Sequence, residues 1–410
     1  MQKSLMKKSL MQNFSWNLIG NIVYAATQWG IIVVLAKFSG SETIGLYSLA
    51  LAVTAPVFML ANLQLRQVHI TDIKEPKPFG VYLGLRCVSA ALACVFILII
   101  CFFNNYSIAT TTIILLIAIA KAIESISDML FGVFQKNEVM DLMSKSLIIK
   151  GSLSLVILLM SLLIFNNFVL SILVSFVFTR IFMLFFYDLK YVNKIVRVKI
   201  EFKKEKLYSL AIQSMPLGIV MMLISLNENI PRYFLEHFVG TKELGYFASI
   251  AYIPFSGNII IMALGQAASP KLAHYYSENK IRNFVNILMK FLLVGLALLI
   301  LGVIITKLFG QEILKMLYTN DFAQYHELLV ILMIYFGLGY ISSFFGFALT
   351  AMRNFKVQPY LLGVVVIANI IFSATLIPQY KVMGAAYAMI IASLVYVLIS
   401  GWACYVTLRR

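Results

Sequence analysis

Long apolar stretches follow one another along nearly the whole chain, separated by short polar segments. Each holds about 20 residues, enough for an α-helix rising about 1.5 Å per residue to cross about 30 Å of hydrocarbon. Helices are expected because an open strand would leave backbone groups unpaired in lipid. The pattern predicts about twelve transmembrane helices, at approximately 14–36, 44–64, 81–103, 110–132, 146–166, 169–188, 207–230, 244–267, 285–306, 326–350, 358–378 and 384–406.

The composition supports an all-α integral membrane protein. Hydrophobic residues make up 61% of the 410 residues and charged residues 12%, and the mean hydropathy is +0.91. A water-soluble globule of this size could not bury so much apolar surface. The cysteines at 87, 94, 101 and 404 form no CxxC motif or Cys/His cluster, so we expect neither a metal site nor a cofactor.

The distribution of cations predicts the orientation. About 22 lysines and arginines fall in the termini and in alternate loops, whereas the loops on the opposite side hold about six, and basic loops stay on the cytoplasmic side. Both termini are therefore predicted to be cytoplasmic. The net charge of +16 does not indicate nucleic-acid binding, because the cations are scattered among loops. They are expected to contact anionic membrane lipid.

The chain reads as two halves. A polar segment at 190–206 carries seven cations and is predicted to be a cytoplasmic linker between six-helix lobes at 1–189 and 207–410. The second span of each half opens alike, with an offset of about 200 residues: Glu42, Gly45, Tyr47 and Pro56 correspond to Glu243, Gly245, Phe247 and Pro254. A repeat of this kind predicts two related bundles with a central cavity between them.

Several predicted spans contain charges, which are costly at membrane depth unless paired or hydrated. Arg86, Lys121 and Arg180 lie in the central or cytoplasmic half of the first lobe. Glu124 and Asp128 follow Lys121 at i+3 and i+7, on the same helical face. This face is either an interhelical ion-pair stripe or one wall of a hydrated cavity. Lys150 and Lys290 lie near span ends, where snorkelling to the headgroups is expected.

Two further polar segments are candidates for function. Asn17, Asn21, Tyr24 and Gln28 share one face of the first helix and suit either sugar binding or interhelical hydrogen bonding. At the end of the seventh span, the run Asn227-Glu228-Asn229-Ile230-Pro231-Arg232-Tyr233 suits a gate or an ordinary helix end. Catalytic residues are not expected, because the chain contains no GxSxG, HExxH or phosphate-loop motif.

A series of motifs carries a family resemblance. They are Gly45 through Leu63-Gln64-Leu65-Arg66 to Asp72, then Tyr82-Leu83-Gly84-Leu85-Arg86, Glu124 to Asp128 before Gln135, Leu226-Asn227 to Pro231-Arg232-Tyr233, and Gly384-Ala385-Ala386-Tyr387. In this order they resemble the polysaccharide flippases of the multidrug/oligosaccharidyl-lipid/polysaccharide exporter superfamily, often called Wzx-type O-antigen flippases. The resemblance covers essentially the whole chain.

The resemblance implies movement of an undecaprenyl-pyrophosphate-linked oligosaccharide from the inner to the outer leaflet by alternating access. Arg66 and Arg86 match motif positions and would bind the pyrophosphate, since an arginine fork suits phosphate oxygens. Lys121 and Arg180 are further candidate ligands of the pyrophosphate, because both lie deep within predicted spans. The amide and aromatic face of the first helix would contact the sugars. The product could be O-antigen lipopolysaccharide, capsule or another exopolysaccharide, made with glycosyltransferases and a polymerase as possible partners.

Coupling and rival functions remain open at this stage. Glu124, Asp128 or Glu228 could bind H⁺ or Na⁺ as a counter-ion, and Asn227 and Arg232 belong to the candidate gate. One alternative is a drug or cation antiporter of the same superfamily, which predicts a cavity rich in carboxylates. Another is a membrane enzyme, either a polymerase, which usually has a large outer loop, or an O-acyltransferase, which usually has an intramembrane histidine.

Overall fold

The computed structural model describes residues 9–72, 77–354 and 357–409, which contain helices and no strand. Predicted cations at Lys3, Lys7, Lys8, Lys74, Lys356 and Arg410 lie outside the described residues. The helices are α1 (Leu10–Phe38), α2 (Ser41–Asn62), α3 (Leu65–Thr71), α4 (Phe79–Phe103), α5 (Ile108–Lys136), α6 (Met140–Phe165), α7 (Phe168–Val192), α8 (Lys204–Phe238), α9 (Thr241–Phe255), α10 (Asn258–Ser277), α11 (Ile281–Leu317), α12 (His326–Ala351) and α13 (Gln358–Arg409).

The helices confirm the all-α membrane fold predicted from the hydrophobic pattern. Ten described segments are long and apolar enough to cross a membrane. The last of them, α13, is interrupted at Lys381, whose φ of 51° and ψ of −126° are not helical. Helix α5 is also of spanning length, at 29 residues. The total of about twelve spans stays a prediction.

The chain folds into two compact units. The first comprises residues up to Phe38 and 49–225, and the second comprises 39–48 and 226–410. In the first unit, α5 contacts α3, α4, α6 and α7, while α1 packs along α6. In the second unit, α12 packs against α10, α11 and α13. Helix α5 is therefore the element through which polar groups from several helices of the first unit can meet.

The basic segment between α7 and α8 lies against the start of α4. The backbone N–H of Glu201 donates to the carbonyl of Gly80 at 3.0 Å. A Cβ atom at Gly80 or Gly84 would overlap the carbonyl oxygen of Lys199 or Glu201, so this backbone approach requires glycine. The role of the segment 190–206 as the boundary between two six-helix lobes stays a prediction.

The predicted repeat has a structural counterpart in the second unit. Helix α2 begins at Ser41 and α9 begins at Thr241, an offset equal to that between Gly45 and Gly245. A Cβ on Gly45 would overlap the carbonyl of Thr241, and a Cβ on Gly245 would overlap the carbonyl of Ser41. The contact is thus reciprocal between corresponding residues, as it is across a two-fold axis. This reciprocity supports an internal duplication.

Candidate functional site

A polar face of α5 forms the centre of the first unit. Lys121, Glu124, Asp128 and Gln135 are spaced by three, four and seven residues, which places them on one face of the helix. At a rise of about 1.5 Å per residue, this face extends for about 21 Å. We call these four residues the α5 stripe. Side chains from α1, α3, α4, α6 and α7 contact it.

Glu124 is surrounded by hydrogen-bond donors. The hydroxyl of Tyr24 donates to Oε1 at 2.6 Å, and Nζ of Lys150 lies 3.0 Å from the same oxygen. Nε of Arg180 lies 3.3 Å from Oε2. The side chains of Lys150 and Arg180 are 3% and 6% exposed, so the Glu124 carboxylate compensates two buried positive charges.

Lys150 contradicts the expectation that it snorkels to the headgroups. Helix α6 begins at Met140, six residues before the predicted start, so Lys150 lies about 15 Å along the helix rather than one turn in. Its ammonium group also lies 5.2 Å from the centroid of the Tyr24 ring and 5.6 Å from that of Phe131. The lysine is thus a buried member of the Glu124 cluster.

Arg180 occupies an unusual stretch of helix. Within α7, π-helical turns at Leu173–Phe178 and Leu184–Asp188 flank the residue, and such wide turns are frequent at functional sites. Nη1 of Arg180 donates to the carbonyl of Phe176 at 3.2 Å, inside the first π-helical turn. The wide turn therefore offers a backbone acceptor to the guanidinium while Nε faces Glu124.

Asp128 forms a second cluster one turn along the stripe. Nη1 of Arg66 lies 3.0 Å from Oδ1, and Nη2 of Arg86 lies 3.6 Å from Oδ2. Arg66 also donates through Nε and Nη2 to Oε1 of Gln135, at 3.2 and 2.8 Å. Exposure separates the two arginines, because Arg66 is 24% exposed and Arg86 only 1%.

Arg86 is buried and is held in place by a contact other than its ion pair with Asp128. Its Nη1 donates to Oδ1 of Asn62, and its Nε is buried without a hydrogen-bond partner among the described residues. An almost fully buried guanidinium cannot itself be the first contact for a ligand arriving from solvent. Arg86 therefore supports Asp128 and its neighbour Arg66.

The short helix α3 sets the position of Arg66. Leu63 and Gln64, between α2 and α3, have φ values of 48° and 51°, which non-glycine residues rarely adopt. At the other end of α3, the Tyr82 hydroxyl donates to Oδ2 of Asp72 at 2.5 Å and the backbone N–H of Lys77 to the same oxygen at 3.2 Å. The hydrogen bond from Tyr82 holds the pKa of Asp72 below its usual value.

Cations exceed carboxylates around the α5 stripe. Lys121 is half-buried and interacts electrostatically with Glu124 and Arg180, but it makes no direct ion pair within the described part of the chain. The cluster contains two carboxylates in direct ion pairs, Glu124 and Asp128, and five cations: Arg66, Arg86, Lys121, Lys150 and Arg180. The buried Asp188 also interacts electrostatically with Lys150, so at least two positive charges are in excess. Sequence reasoning had placed four of these five cations; Lys150 was assigned to the headgroups.

Only part of the polar face predicted on α1 contacts the α5 stripe. Tyr24 joins Glu124, as described, but Nδ2 of Asn21 donates to the main-chain and side-chain oxygens of Asn17 at 2.7 and 2.9 Å. These two amides thus bond to each other along the helix. Gln28 has a buried Nε2 without a hydrogen-bond partner among the described residues. A sugar-binding role for this face stays a prediction.

The candidate gate residues lie inside α8, in the second unit. The helix continues through Pro231 to Phe238, so this segment is not the ordinary helix end that was one alternative. Nδ2 of Asn369 donates to the backbone oxygen and Oδ1 of Asn227 at 2.7 and 2.9 Å. Arg232 donates from Nη1 to Oδ1 of Asn229 at 3.2 Å. Roles of Asn227, Glu228 and Arg232 in gating or ion coupling stay predictions.

Comparisons with known proteins identify the family. Residues 10–275 match the model of a family described as polysaccharide biosynthesis protein, and residues 216–375 match the MatE model. The capsular polysaccharide biosynthesis protein CapF of Staphylococcus aureus is 29% identical over 392 residues, covering 94% of this chain and 97% of CapF.

Solved structures share the fold at low sequence identity. The lipid II flippase MurJ, in an inward closed conformation, has a TM-score of 0.72 and 14% identity, covering 94% of this chain and 86% of MurJ. A mutant of the Vibrio cholerae MATE transporter VcmN has a TM-score of 0.62 and 13% identity, covering 98% of this chain and 95% of VcmN. A Pyrococcus furiosus transporter of the MOP superfamily also has a TM-score of 0.62, with 12% identity, covering 96% of this chain and 94% of that transporter.

The polysaccharide biosynthesis model spans more than half of the chain, and this match assigns the family. The membrane-enzyme alternative is thereby set aside. The chain belongs to the polysaccharide biosynthesis protein family and is a multi-pass membrane transporter, a polysaccharide flippase of the multidrug/oligosaccharidyl-lipid/polysaccharide exporter superfamily.

Proposed function

We propose that the protein moves an undecaprenyl-pyrophosphate-linked oligosaccharide from the inner to the outer leaflet of the bacterial cytoplasmic membrane by alternating access of its two halves. The family match and the resemblance to CapF support a polysaccharide substrate, and a capsular or related surface polysaccharide is the favoured product. MurJ, which shares the fold, is a flippase of lipid II.

The excess of positive charge around the α5 stripe is the observation that carries this proposal. Uncompensated charge at membrane depth is costly, so a site of this kind is stabilised by a polyanionic ligand. A pyrophosphate diester brings about two negative charges, and guanidinium groups bind phosphate oxygens in a bidentate manner. A drug or cation antiporter would need the opposite balance of charge.

Arg66 is the arginine best placed to meet the pyrophosphate. It is the most exposed of the three arginines on the stripe, and its acidic partner Asp128 is 37% exposed. A phosphate oxygen can therefore replace the Asp128 carboxylate at Nη1 of Arg66 without the burial of a new charge. Arg86 and the Glu124 cluster supply positive potential from behind this contact.

The test is binding of undecaprenyl pyrophosphate to the purified protein in nanodiscs. Loss of a charged hydrogen bond costs about 1.5–3 kcal/mol, so Arg66→Ala should weaken binding by roughly ten- to a hundredfold. Arg66→Lys should recover only part of the affinity, because a lysine lacks the planar fork. The matched control is Arg282→Ala, an exposed arginine at the start of α11.

The same variants should be examined in cells at normal expression. Arg66→Ala should abolish surface polysaccharide, whereas Arg282→Ala should leave it unchanged. Unaltered lipid affinity together with unaltered surface polysaccharide in Arg66→Ala would remove the pyrophosphate assignment.

Coupling to an ion forms a further part of the proposal. Glu124 and Asp128 are each paired with cations in this structure, whereas Glu228 makes no direct ion pair with the described residues. Of the three acids considered for coupling, Glu228 is thus the one left to take up H⁺ or Na⁺. Transport that is unaffected by collapse of both ion gradients would exclude such coupling. Association with a polymerase or glycosyltransferases would be detected by co-purification.

Both termini are proposed to be cytoplasmic, together with the basic segment 190–206. Lys199 in this segment is exposed. In a variant whose native cysteines are replaced, Lys199→Cys should react with an impermeant maleimide only after permeabilisation, while Lys307→Cys should react in intact cells. The reverse pattern would invert the orientation.

A further inference from the structure

Helices α1, α5 and α6 of the first unit lie side by side, and their directions determine which residues share a level. Helix α5 is joined to α6 by the short turn 137–139, so these two helices run antiparallel. Helix α1 runs parallel to α6. A Cβ on Gly20 would overlap Ser144. A Cβ on Gly30, farther along α1, would lie 3.0 Å from Leu155, which is farther along α6.

The contacts of Glu124 bring one turn of each of these helices together, and the next turn carries a polar side chain on all three. The hydroxyl of Tyr24 lies 2.6 Å, and Nζ of Lys150 3.0 Å, from Oε1 of Glu124. Residues three or four positions apart share a helical face, so the next polar residues in the common direction also converge. They are Gln28 on α1, Lys121 on α5 and Ser154 on α6. We call these three residues the donor triad.

The polar groups of the donor triad have no direct partners among the described residues. Nε2 of Gln28 and Oγ of Ser154 are buried without a hydrogen bond, and Ser154 is only 1% exposed. Lys121 is half-buried and makes no direct ion pair within the same part of the chain, because Glu124 already contacts two other cations. Buried polar groups of this kind cost free energy unless water or a ligand satisfies them.

An anion satisfies the donor triad better than water does. An amide N–H, a hydroxyl and an ammonium group all donate hydrogen bonds, and the ammonium also requires a negative charge at membrane depth. Water can accept the hydrogen bonds but cannot compensate the charge, and a metal cation would be repelled by Lys121. A phosphate oxygen provides both the acceptor and the charge.

The donor triad is separate from the first contact proposed at Arg66. Lys121 and Asp128, the carboxylate that pairs with Arg66, are seven residues apart on α5, which corresponds to about 10 Å along the helix. Glu124 lies between them, and the cations at its level are already paired with it. A phosphate group therefore has two positions along the α5 stripe, one on each side of Glu124.

We infer that the donor triad is a second phosphate-binding position, which the pyrophosphate of the lipid-linked substrate occupies after it leaves Arg66. The inference rests on the proposed function and adds to it an intermediate position of the headgroup within the first unit. Ser154 becomes a substrate-binding residue that the sequence did not indicate. Gln28 contacts phosphate instead of a sugar or another helix.

Two measurements on the variant Gln28→Leu/Ser154→Ala test the inference. The substitutions remove two donors without a change of charge, so the affinity of the purified protein in nanodiscs for undecaprenyl pyrophosphate should be unchanged while Arg66 is intact. Newly made surface polysaccharide, followed in cells by pulse labelling at equal expression, should appear at least about tenfold more slowly, since one hydrogen bond to a charged group contributes that much. Each single substitution should give part of this effect.

A matched control and a second ligand separate the alternatives. Ser161→Ala removes another buried serine of α6, whose hydroxyl donates to the carbonyl of Leu158, and it should change neither measurement. Inorganic phosphate titrated into wild type and the double variant should show no binding that depends on Gln28 and Ser154. Such binding at cellular phosphate concentrations would assign the donor triad to a free anion and overturn the inference.

The outcomes distinguish this inference from the proposed function. Unchanged affinity for undecaprenyl pyrophosphate shows that the double variant is folded. Surface polysaccharide that appears at the wild-type rate in this variant overturns the second position alone. A loss of lipid affinity equal to that of Arg66→Ala, in the single as in the double variants, also overturns it, because all the donors would then belong to one site. Wild type that does not bind undecaprenyl pyrophosphate overturns the proposed function and the second position with it.

Discussion

At the scale of single residues, the two carboxylates of the α5 stripe differ in how firmly they are held. Glu124 accepts from Tyr24, Lys150 and Arg180, and two of these donors are almost fully buried. Asp128 is more exposed and has a single close cation, Arg66, with Arg86 at 3.6 Å. Glu124 therefore stabilises the fold, whereas Asp128 can exchange its partner for a ligand.

Replacement of Asp128 by asparagine tests this exchange. Asp128→Asn removes the anion that competes for Arg66 and raises the positive excess by one charge. Undecaprenyl pyrophosphate should then bind more tightly, by roughly three- to tenfold, because one repulsive charge is lost near the phosphates. The measurement is equilibrium binding in nanodiscs at low salt. A fall in affinity comparable to that of Arg66→Ala would mean that Asp128 orients the arginine instead of competing for it.

Much of this site could be predicted from the sequence, and the part that could not depends on contacts between helices. The i, i+3, i+7 spacing places Lys121, Glu124 and Asp128 on one face of α5, since the periodicity of a helix can be read from neighbouring residues in the sequence. Which cation contacts which carboxylate depends on how α3, α4, α6 and α7 pack against α5. This packing joins residues that are far apart in the sequence, so the spacing does not reveal it. Lys150 was misplaced because an error of six residues at the start of α6 amounts to about 9 Å of depth.

At the scale of elements, the break between α2 and α3 directs a functional side chain. Leu63 and Gln64 both adopt left-handed conformations, so the chain stops following α2 and begins a separate helix one residue before Arg66. Left-handed backbone costs a non-glycine residue about 1–2 kcal/mol, and the surrounding structure must supply this. The predicted span 44–64 ended correctly here, but apolar periodicity does not reveal such a turn.

Glycine substitutions on either side of the break should have opposite effects. Gln64→Gly removes the left-handed strain and should stabilise the protein by about 1 kcal/mol. Gln67→Gly, at an exposed position within α3, should destabilise it by about 1 kcal/mol because glycine is a poor helix former. Thermal unfolding in the same detergent measures both. Destabilisation by both substitutions would show that the side chain at 64 contributes more than its backbone costs.

At the scale of the whole molecule, the two halves of the chain share the spacing of their helix starts, of which the sequence repeat indicated one instance. Helix starts at 41 and 241 differ by 200 residues, and those at 79 and 281 differ by nearly the same number. The halves have diverged in chemistry, since cations exceed carboxylates around the α5 stripe, whereas the candidate gate in α8 carries one carboxylate, Glu228, and one guanidinium, Arg232, a turn apart. Sequence comparison of the two halves could detect the shared glycines, but the reciprocal contact between them is a property of the fold.

The reciprocal contact of α2 and α9 predicts matched effects of matched substitutions. Gly45→Ala and Gly245→Ala each place a methyl group against a backbone carbonyl that cannot rotate away, of Thr241 and Ser41 respectively. Each should destabilise the protein by about 1–3 kcal/mol. Because both changes force the same two helix ends apart, the double variant should lose less than the sum of the single losses.

Gly339→Ala provides the control, since a Cβ there meets nothing within 4 Å and alanine favours the helix. Thermal unfolding of the four variants should thus give a gain of up to about 1 kcal/mol for Gly339→Ala, two similar losses, and a sub-additive double loss. A loss at Gly245 with full tolerance at Gly45 would contradict a two-fold relation between these helix ends, because equivalent residues in a symmetric contact must resist the same methyl group alike.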